Sequence, residues 1–348
     1  MTGYQGKSVR SRPKTNGDAG SQRAVYGALD LGTNNCRMMI ASPLPGGIRV
    51  IESFSRIVRL GEGLRASGQL GEAAVERTVR ALRVCADRLH RRRVRRLRCI
   101  ATEACRKAAN RDDFFRRVAA ETGLTLEAIS AEEEAALTLG GCIPLLDRTK
   151  PRGLIFDIGG GSTELSWIAI NGDGPPQALG FVTMGIGVVN LAEEFGTDRI
   201  APHAFEEIVA RVDAEIVEFD AQYGIGRAVA AGQVQMLGTS GTVTTLGGVH
   251  LGLPRYDRSR VDGMVIDFEA LLAASARLSA LDYLGRAANP CIGRQRADLV
   301  VVGCAILEAI CRRWPVGCLR IADRGVREGL LLALMAADMA SGSLAMRP

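Results

Sequence analysis

The chain is 348 residues long, 47% hydrophobic and 24% charged, with a formal charge of +6. That exceeds one ordinary domain and supplies enough apolar residues for a sizeable core, so two domains are expected. No apolar run of about 18 residues occurs, which argues against a membrane span. Nine scattered cysteines without a C-x-x-C pair, and only three histidines, argue against structural zinc and for a reduced, cytoplasmic protein.

Residues 1–23 are polar and rich in Gly, Ser and Arg; they lack the apolar core of a secretory signal and read as a disordered tail. Three strand-like runs follow, Val25 to Leu29, Cys36 to Ile40 and Ile48 to Phe54. Val75, Val79, Leu82, Ala86 and Leu89 then recur at helical spacing. Beyond them lies "RLHRRRVRRLRC", residues 88–99, in a chain where all but four of the 44 basic residues are arginine. Such a run is either the solvated end of a helix, the preferred reading, or a track for a polyanion, because arginine forks match phosphate oxygens. No aromatic residue is interleaved with it, so no specific nucleic-acid partner is expected.

The strand "LRCIAT" leads into a helical stretch, "EACRKAANRDDFFRRVAAETG". Then "LEAIS" precedes "AEEEAALTLGG", where Ser130 and Glu133 have the spacing of a capping box. Glycines, prolines and charges at 140–153 mark a boundary, giving domains over 24–139 and 140–348. The second domain repeats the theme, with strands at 153–158, 163–170 and 177–184 and a helix presenting Phe205, Ile208, Val209, Val212, Ile216 and Phe219. A strand-turn, "MLGTSGTVTTLGG", and a strand-turn-helix, "CLRIADRGVREGLLLALMAADMA", complete it. The alternation argues for α/β architecture.

Aligning Asp30 with Asp157, 127 residues on, puts apolar-Asp-apolar-Gly in register in "ALDLGTNN" and "IFDIGGGST", each followed by an outgoing strand. The repeat predicts duplicated domains. Glycine turns let backbone N–H groups approach an anion directly. The donors are expected from Gly32, Thr33, Asn34 and Asn35 on one turn, and from Gly159, Gly160, Gly161, Ser162 and Thr163 on the other. Asp30 and Asp157 would repel phosphate themselves; they suit a direct or water-mediated anchor for Mg²⁺. A turn that merely closes a β-hairpin is the competing reading of each motif alone, and their pairing favours phosphate. Other phosphate motifs fare worse. "YQGKS", 4–8, lacks the first glycine of a P-loop, and "MGIGVVN", 184–190, has Asn190 where a dinucleotide turn needs glycine, so it reads as a turn and helix start.

Paired Asp-Gly turns on duplicated α/β domains resemble the actin, sugar-kinase and heat-shock ATPase superfamily. Further motifs narrow the resemblance to the exopolyphosphatase / guanosine pentaphosphate phosphatase family, over the chain from about residue 24 onward. They are "VRLGEGL" (58–64), "ATEACRKAAN" (101–110), "ISAEEEAALTLGG" (129–141), "FDIGGGSTELSW" (156–167), "LGTSGTVTTLGG" (237–248), "RADLVVVGCAIL" (296–307) and "IADRGVREGLL" (321–331). The resemblance implies two actin-like, ribonuclease H-like domains with an active-site cleft between them. It implies Mg²⁺-assisted hydrolysis of the terminal phosphoanhydride of inorganic polyphosphate, or of the 5′-γ-phosphate of guanosine pentaphosphate, and it allows a homodimer. A nucleotide- or alarmone-binding regulator with weak turnover is the rival from another class.

Carried over by motif, the catalytic glutamate is Glu134 and Arg106 is a ligand of the phosphate chain. Thr239, Ser240 and Gly241 join the phosphate site, and Glu164 assists metal or water. The helix reading agrees, because Glu133 is engaged in capping while Glu134, about 100° further round, is free to face a cleft. Two departures stand out: Ala131 replaces the family's usual glycine, and the chain resembles the short two-domain form without a helical C-terminal extension.

Overall fold

A computed structural model of the chain describes residues 24–341, so the expected tail at 1–23 lies outside the described residues. Strands β1 (Tyr26–Leu31), β2 (Asn35–Leu44), β3 (Gly47–Ile57), β4 (Arg96–Ala101) and β5 (Glu127–Ala128) form one sheet in the order β3-β2-β1-β4-β5. Strands β6 (Arg152–Ile158), β7 (Thr163–Ala169), β8 (Gln177–Met184), β9 (Val234–Thr239), β10 (Val265–Asp267) and β11 (Cys318–Ala322) form the second. Its order, β8-β7-β6-β9-β11 with β10 added at the edge, repeats the first. In both sheets an antiparallel meander of three strands meets a parallel partner: β1 pairs with β4, and β6 with β9. The sequence repeat is therefore a repeat of topology, and the fold is α/β with two actin-like domains.

The apolar patterns explain the layers. Every residue of β7 is buried, and β6 is buried at Gly153 through Phe156 and Ile158, as expected of strands covered on both faces. The helix Glu72–Arg91 buries Val75, Val79, Leu82 and Leu89, and Pro202–Tyr223 buries Ile208, Val209, Val212, Ile216 and Phe219, the stripes their periodicity predicts. The long helical stretch after β4 is split into Glu103–Lys107 and Arg111–Thr122. Asn110 causes the break by exchanging two hydrogen bonds with the backbone of Leu70, at 2.8 and 3.0 Å.

Ser130 does cap the helix Ala131–Cys142, accepting from Glu133 N at 3.1 Å. The capping box is only half formed, however, because the Glu133 carboxylate accepts from Arg98 Nη2 on β4 at 2.6 Å. This helix packs closely on the last helix, Val326–Ala340, through glycines. A Cβ on Gly141 would lie 2.1 Å from Gly325 O, and one on Gly329 would lie 2.0 Å from Leu137 O. Near its far end Asp338 accepts from Tyr26 on β1 at 2.8 Å, so the last helix returns to the first sheet while its N-terminus reaches the cleft. No helix among the described residues is long and apolar enough to cross a membrane.

The arginine run lies far from that cleft. Arg96 pairs in register with Tyr26 at the start of β1, whereas Asp30 and Leu31 end the same strand at the cleft. Arg92 is paired with Glu52 and Arg96 with Asp338, so the solvated-surface reading describes these residues.

Candidate active site

The two predicted turns face each other. Each closes an antiparallel hairpin with the same bond, Gly32 N to Asn35 O and Gly159 N to Ser162 O, both 2.9 Å. Hairpin closure and anion binding are thus compatible in one structure. What distinguishes these turns from ordinary hairpin loops is where their carbonyls point. Thr33 O accepts from Gly61 N, and Asn34 O accepts from Val58 N and Arg59 N. On the other turn Gly159 O accepts from Val188 N, Gly160 O from Val189 N, and Gly161 O from Asn190 Nδ2. With the acceptors tied back, the amides of Thr33, Asn34, Gly160 and Gly161 have no acceptor among the described residues. Thr33, Asn34, Gly160 and Gly161 all line one cleft, and successive N–H groups left free in such turns suit a negative ligand.

The turns are also in contact. A Cβ on Gly160 would fall 3.0 Å from Thr33 Cβ and 3.1 Å from Asn34 N, which is why the position is glycine. The motifs "VRLGEGL" and "MGIGVVN" supply the tying groups: the latter is a turn and helix start, as expected, and its Asn190 holds Gly161.

Around these turns lies a cleft of about 920 Å³ counted to its open mouth, and Asp30, Asp157, Glu134, Glu164, Ser162, Ser240 and Gly241 also line it. The two aspartates occupy equivalent strand positions with opposite neighbours, since Asp30 is across from Arg37 and Asp157 across from Glu164. Burial raises the pKa of Asp30, opposed by Arg37 and Arg327. Burial also lifts Asp157 to about 6 and, together with the Asp157 charge, Glu164 to about 7. Glu164 accepts from Ser162 Oγ and, at 3.3 Å, from Thr183 Oγ1.

Glu134 stands at the N-terminal turn of its helix and is raised well above the ordinary carboxylate range by burial and then by Glu164, with Arg106 opposing. Arg106 Nη1 donates to Glu134 Oε2 at 2.8 Å and to Ile129 O at 3.0 Å, and its Nη2 donates to Glu103 at 3.0 Å. Its fork is thus committed to two carboxylates, and it is not among the cleft-lining residues.

Two predicted phosphate residues turn elsewhere. Thr163 Oγ1 donates to Ile186 O at 2.7 Å, and Thr239 Oγ1 donates to Arg324 O at 2.9 Å. Ser240 does reach the cleft, at a backbone φ of 102°, with its Oγ buried and without a partner among the described residues at the start of the helix Gly241–His250.

Residues not anticipated include Glu103, Arg37, Arg296 and Arg327. Glu103 lines the cleft, while Arg37 and Arg296 line both the cleft and an adjoining chamber of about 1030 Å³, which Arg327 also lines. Arg37 and Arg327 make no side-chain hydrogen bond or ion pair with the described residues, and the chamber is lined by five arginines against three aspartates. Only the register of β2 against β1 could have revealed Arg37; Arg296 and Arg327 stood inside recognised motifs without a role.

The sequence and fold have clear relatives. An exopolyphosphatase-like protein of known crystal structure is 28% identical, with a TM-score of 0.81 over 90% of this chain and 99% of that one. The PPX-GPPA enzyme of Aquifex aeolicus is 25% identical, with a TM-score of 0.72 over 89% and 99%. An exopolyphosphatase from Cytophaga hutchinsonii shares the fold at 22% identity, with a TM-score of 0.80 over 90% and 98%. The family model described as the Ppx/GppA phosphatase family matches residues 39–337. The family match runs across most of the chain and takes in the second glycine turn and Glu134 of the cleft: this protein belongs to the Ppx/GppA phosphatase family.

Proposed function

We propose that the protein is an exopolyphosphatase, hydrolysing the terminal phosphoanhydride of inorganic polyphosphate with Glu134 as general base. The observation that supports this reading best is the pair of turns, with amides that have no acceptor among the described residues, lining one cleft together with Glu134. A terminal phosphate between the turns accepts from the amides of Thr33, Asn34, Gly160 and Gly161, which stabilise charge where it develops. Glu134 takes a proton from a water in line with the anhydride bond. The new P–O bond forms as the old one breaks, releasing orthophosphate and a chain one unit shorter. Arg106 fixes the Glu134 carboxylate, and burial beside Glu164 strengthens it as a base toward neutral pH. The remainder of the chain extends toward Arg37, Arg296 and Arg327.

Mg²⁺ fits the donor set. Neither Asp30 nor Asp157 makes a side-chain hydrogen bond or ion pair among the described residues, and in both burial outweighs the opposing charge of Arg37 and raises the pKa. No three His, Cys, Asp or Glu side chains among the described residues are grouped to hold a metal by themselves. That suits Mg²⁺, which takes one or two carboxylates and completes its shell with phosphate oxygens and water. Asp30 and Asp157 would hold it, with Glu164 alongside, and bound there it would neutralise charge on the phosphate oxygens. We place the enzyme in the cytoplasm, since all nine cysteines are free thiols, suited to a reducing compartment.

Phosphate release from polyphosphate, guanosine pentaphosphate and ATP, measured side by side with Mg²⁺, tests the reading. Polyphosphate is expected to be fastest. Release from pentaphosphate alone would move the assignment to the sister activity, and binding without turnover would make the protein a regulator.

A further inference from the structure

We propose that Arg59 is a positioning residue, which sets the spacing of the two phosphate turns through a strap outside the cleft; the role rests on the function proposed above. The strap is the segment between β3 and the helix Leu64–Ser67. It grips the back of the first turn, with Val58 N and Arg59 N donating to Asn34 O at 2.9 and 3.0 Å and Gly61 N donating to Thr33 O at 2.9 Å. A Cβ on Gly61 would lie 2.3 Å from Thr33 Cγ2, so the grip leaves no slack. Arg59 holds a left-handed backbone, φ 49°, which L residues adopt only at a cost and only where the surroundings enforce it.

From there the strap and the short helix after it cross to the second domain at three points. Arg59 Nη2 donates to Asp298 Oδ2 at 2.6 Å, Gly63 N donates to Glu193 Oε1 at 2.9 Å, and Arg65 pairs with Glu194. Glu193 and Glu194 belong to the helix Val188–Phe195, whose first amides and Asn190 tie down the second turn. Asp298 belongs to the loop that carries Arg296 and Leu299 into the cleft. That loop is held by fully buried Arg286, which donates to Ala297 O and Thr197 O, both at 2.8 Å. One continuous path therefore joins the backs of both turns without using a ligand.

The three crossings are not equivalent. The Arg65 side chain is 53% exposed, and an ion pair in that setting contributes little. Arg59 is 39% exposed, but the Asp298 side chain is only 9% exposed and its Oδ1 has no partner among the described residues, so losing Arg59 leaves a largely buried carboxylate unpaired. The spacing should therefore depend on the Arg59–Asp298 pair above the others.

The test uses the full chain with Arg59→Gln, Arg59→Lys, Asp298→Asn and the double variant Arg59→Gln/Asp298→Asn. Amide hydrogen exchange is followed in the peptides spanning 26–40 and 154–166 of the ligand-free protein, alongside kcat and KM for polyphosphate. Arg59→Gln and Asp298→Asn are each expected to speed exchange in both turns and raise KM by about tenfold, with the double variant no worse than either single. Arg59→Lys should recover part of the loss, because it restores the charge without the fork. Turn exchange and KM equal to the parent, or single effects that add in the double variant, would overturn the proposal. Should Arg59→Gln not fold, Asp298→Asn, which removes one charge and little volume, decides the point alone. Failure of the parent to hydrolyse polyphosphate would refute the function, while the exchange data would still judge the strap.

Discussion

Gly187 offers a sharp perturbation because it is not among the residues that line the cleft. Its backbone is extended, φ −134° and ψ 164°, a conformation open to alanine, so Gly187→Ala acts through volume alone. The added Cβ would stand 2.4 Å from Gly160 O and 2.5 Å from the carbonyl carbons of Gly160 and Gly161. Ordinary contact requires about 3.5 Å, so one side must move by roughly 1 Å, and backbone on both sides cannot rotate away as a side chain would. If the helix start moves, the bonds from Val188 N and Val189 N to Gly159 O and Gly160 O lengthen. If the turn moves, it is driven against Thr33 and Asn34, which already touch it. Overpacking of this kind costs about 1–3 kcal/mol, less than the ~5–15 kcal/mol that holds an ordinary domain together, so the variant folds. Displacing a reacting group by about 1 Å costs roughly 100-fold in rate. We therefore expect kcat for phosphate release from polyphosphate to fall about 100-fold, with a circular-dichroism melt only modestly lowered. Gly185→Ala is the control, since its Cβ would meet only the flexible tip of Lys107 at 3.6 Å. A folded Gly187→Ala protein with the parent's kcat would show that the second turn does not hold the reacting phosphate.

Glu134→Gln keeps an acceptor for Arg106 and should fold normally while kcat falls by roughly two to four orders of magnitude; parental turnover would remove Glu134 as the base. Because burial and Glu164 raise Glu134, and the base must be ionised, activity should decline with falling pH from above the ordinary carboxylate range. In Glu164→Gln that acid limb should move to lower pH, and an unmoved limb would show that Glu164 does not tune the base. Asp157 has a folded-state pKa of about 6 against 3.8 in its absence, so the folded form binds this proton more tightly. Stability without divalent cation should then fall as pH rises through that interval; Asp157→Asn should show a smaller fall, Glu164 and Glu134 still contributing theirs, yet need more Mg²⁺ for any activity, and melts at pH 5 and 8 with and without Mg²⁺ check both. Replacing Arg91, Arg92 and Arg93 with Ser should leave KM for long and short polyphosphate alike, because the run lies at the starting ends of β1 and β4; a selective loss for long chains would contradict this.

Local chemistry made much of the protein legible from its residues. Apolar stripes at helical spacing located the helices Glu72–Arg91 and Pro202–Tyr223, since burial follows periodicity wherever one face meets a core. The Asp-Gly repeat located both turns and forecast duplicated domains, because a glycine turn between two strands needs only neighbours in sequence. Ser130 as a cap was equally local. What the tertiary structure decided were properties of side chains with distant partners. Glu133 fits a capping box by spacing, but Arg98 sits on an adjacent strand and a charged partner outcompetes a backbone amide. Arg106 is placed by Glu103 and Glu134, 3 and 28 residues away, and the second of these partners meets it only through the parallel pairing that sets the helix Ala131–Cys142 beside it. The return of the last helix to β1 depends on glycines matched across two helices, a fit that no single window contains. The arginine run shows the same division: its charge is plain in the sequence, but whether it faces the cleft depends on which end of the sheet it occupies, and strand direction is settled only when the strands pair.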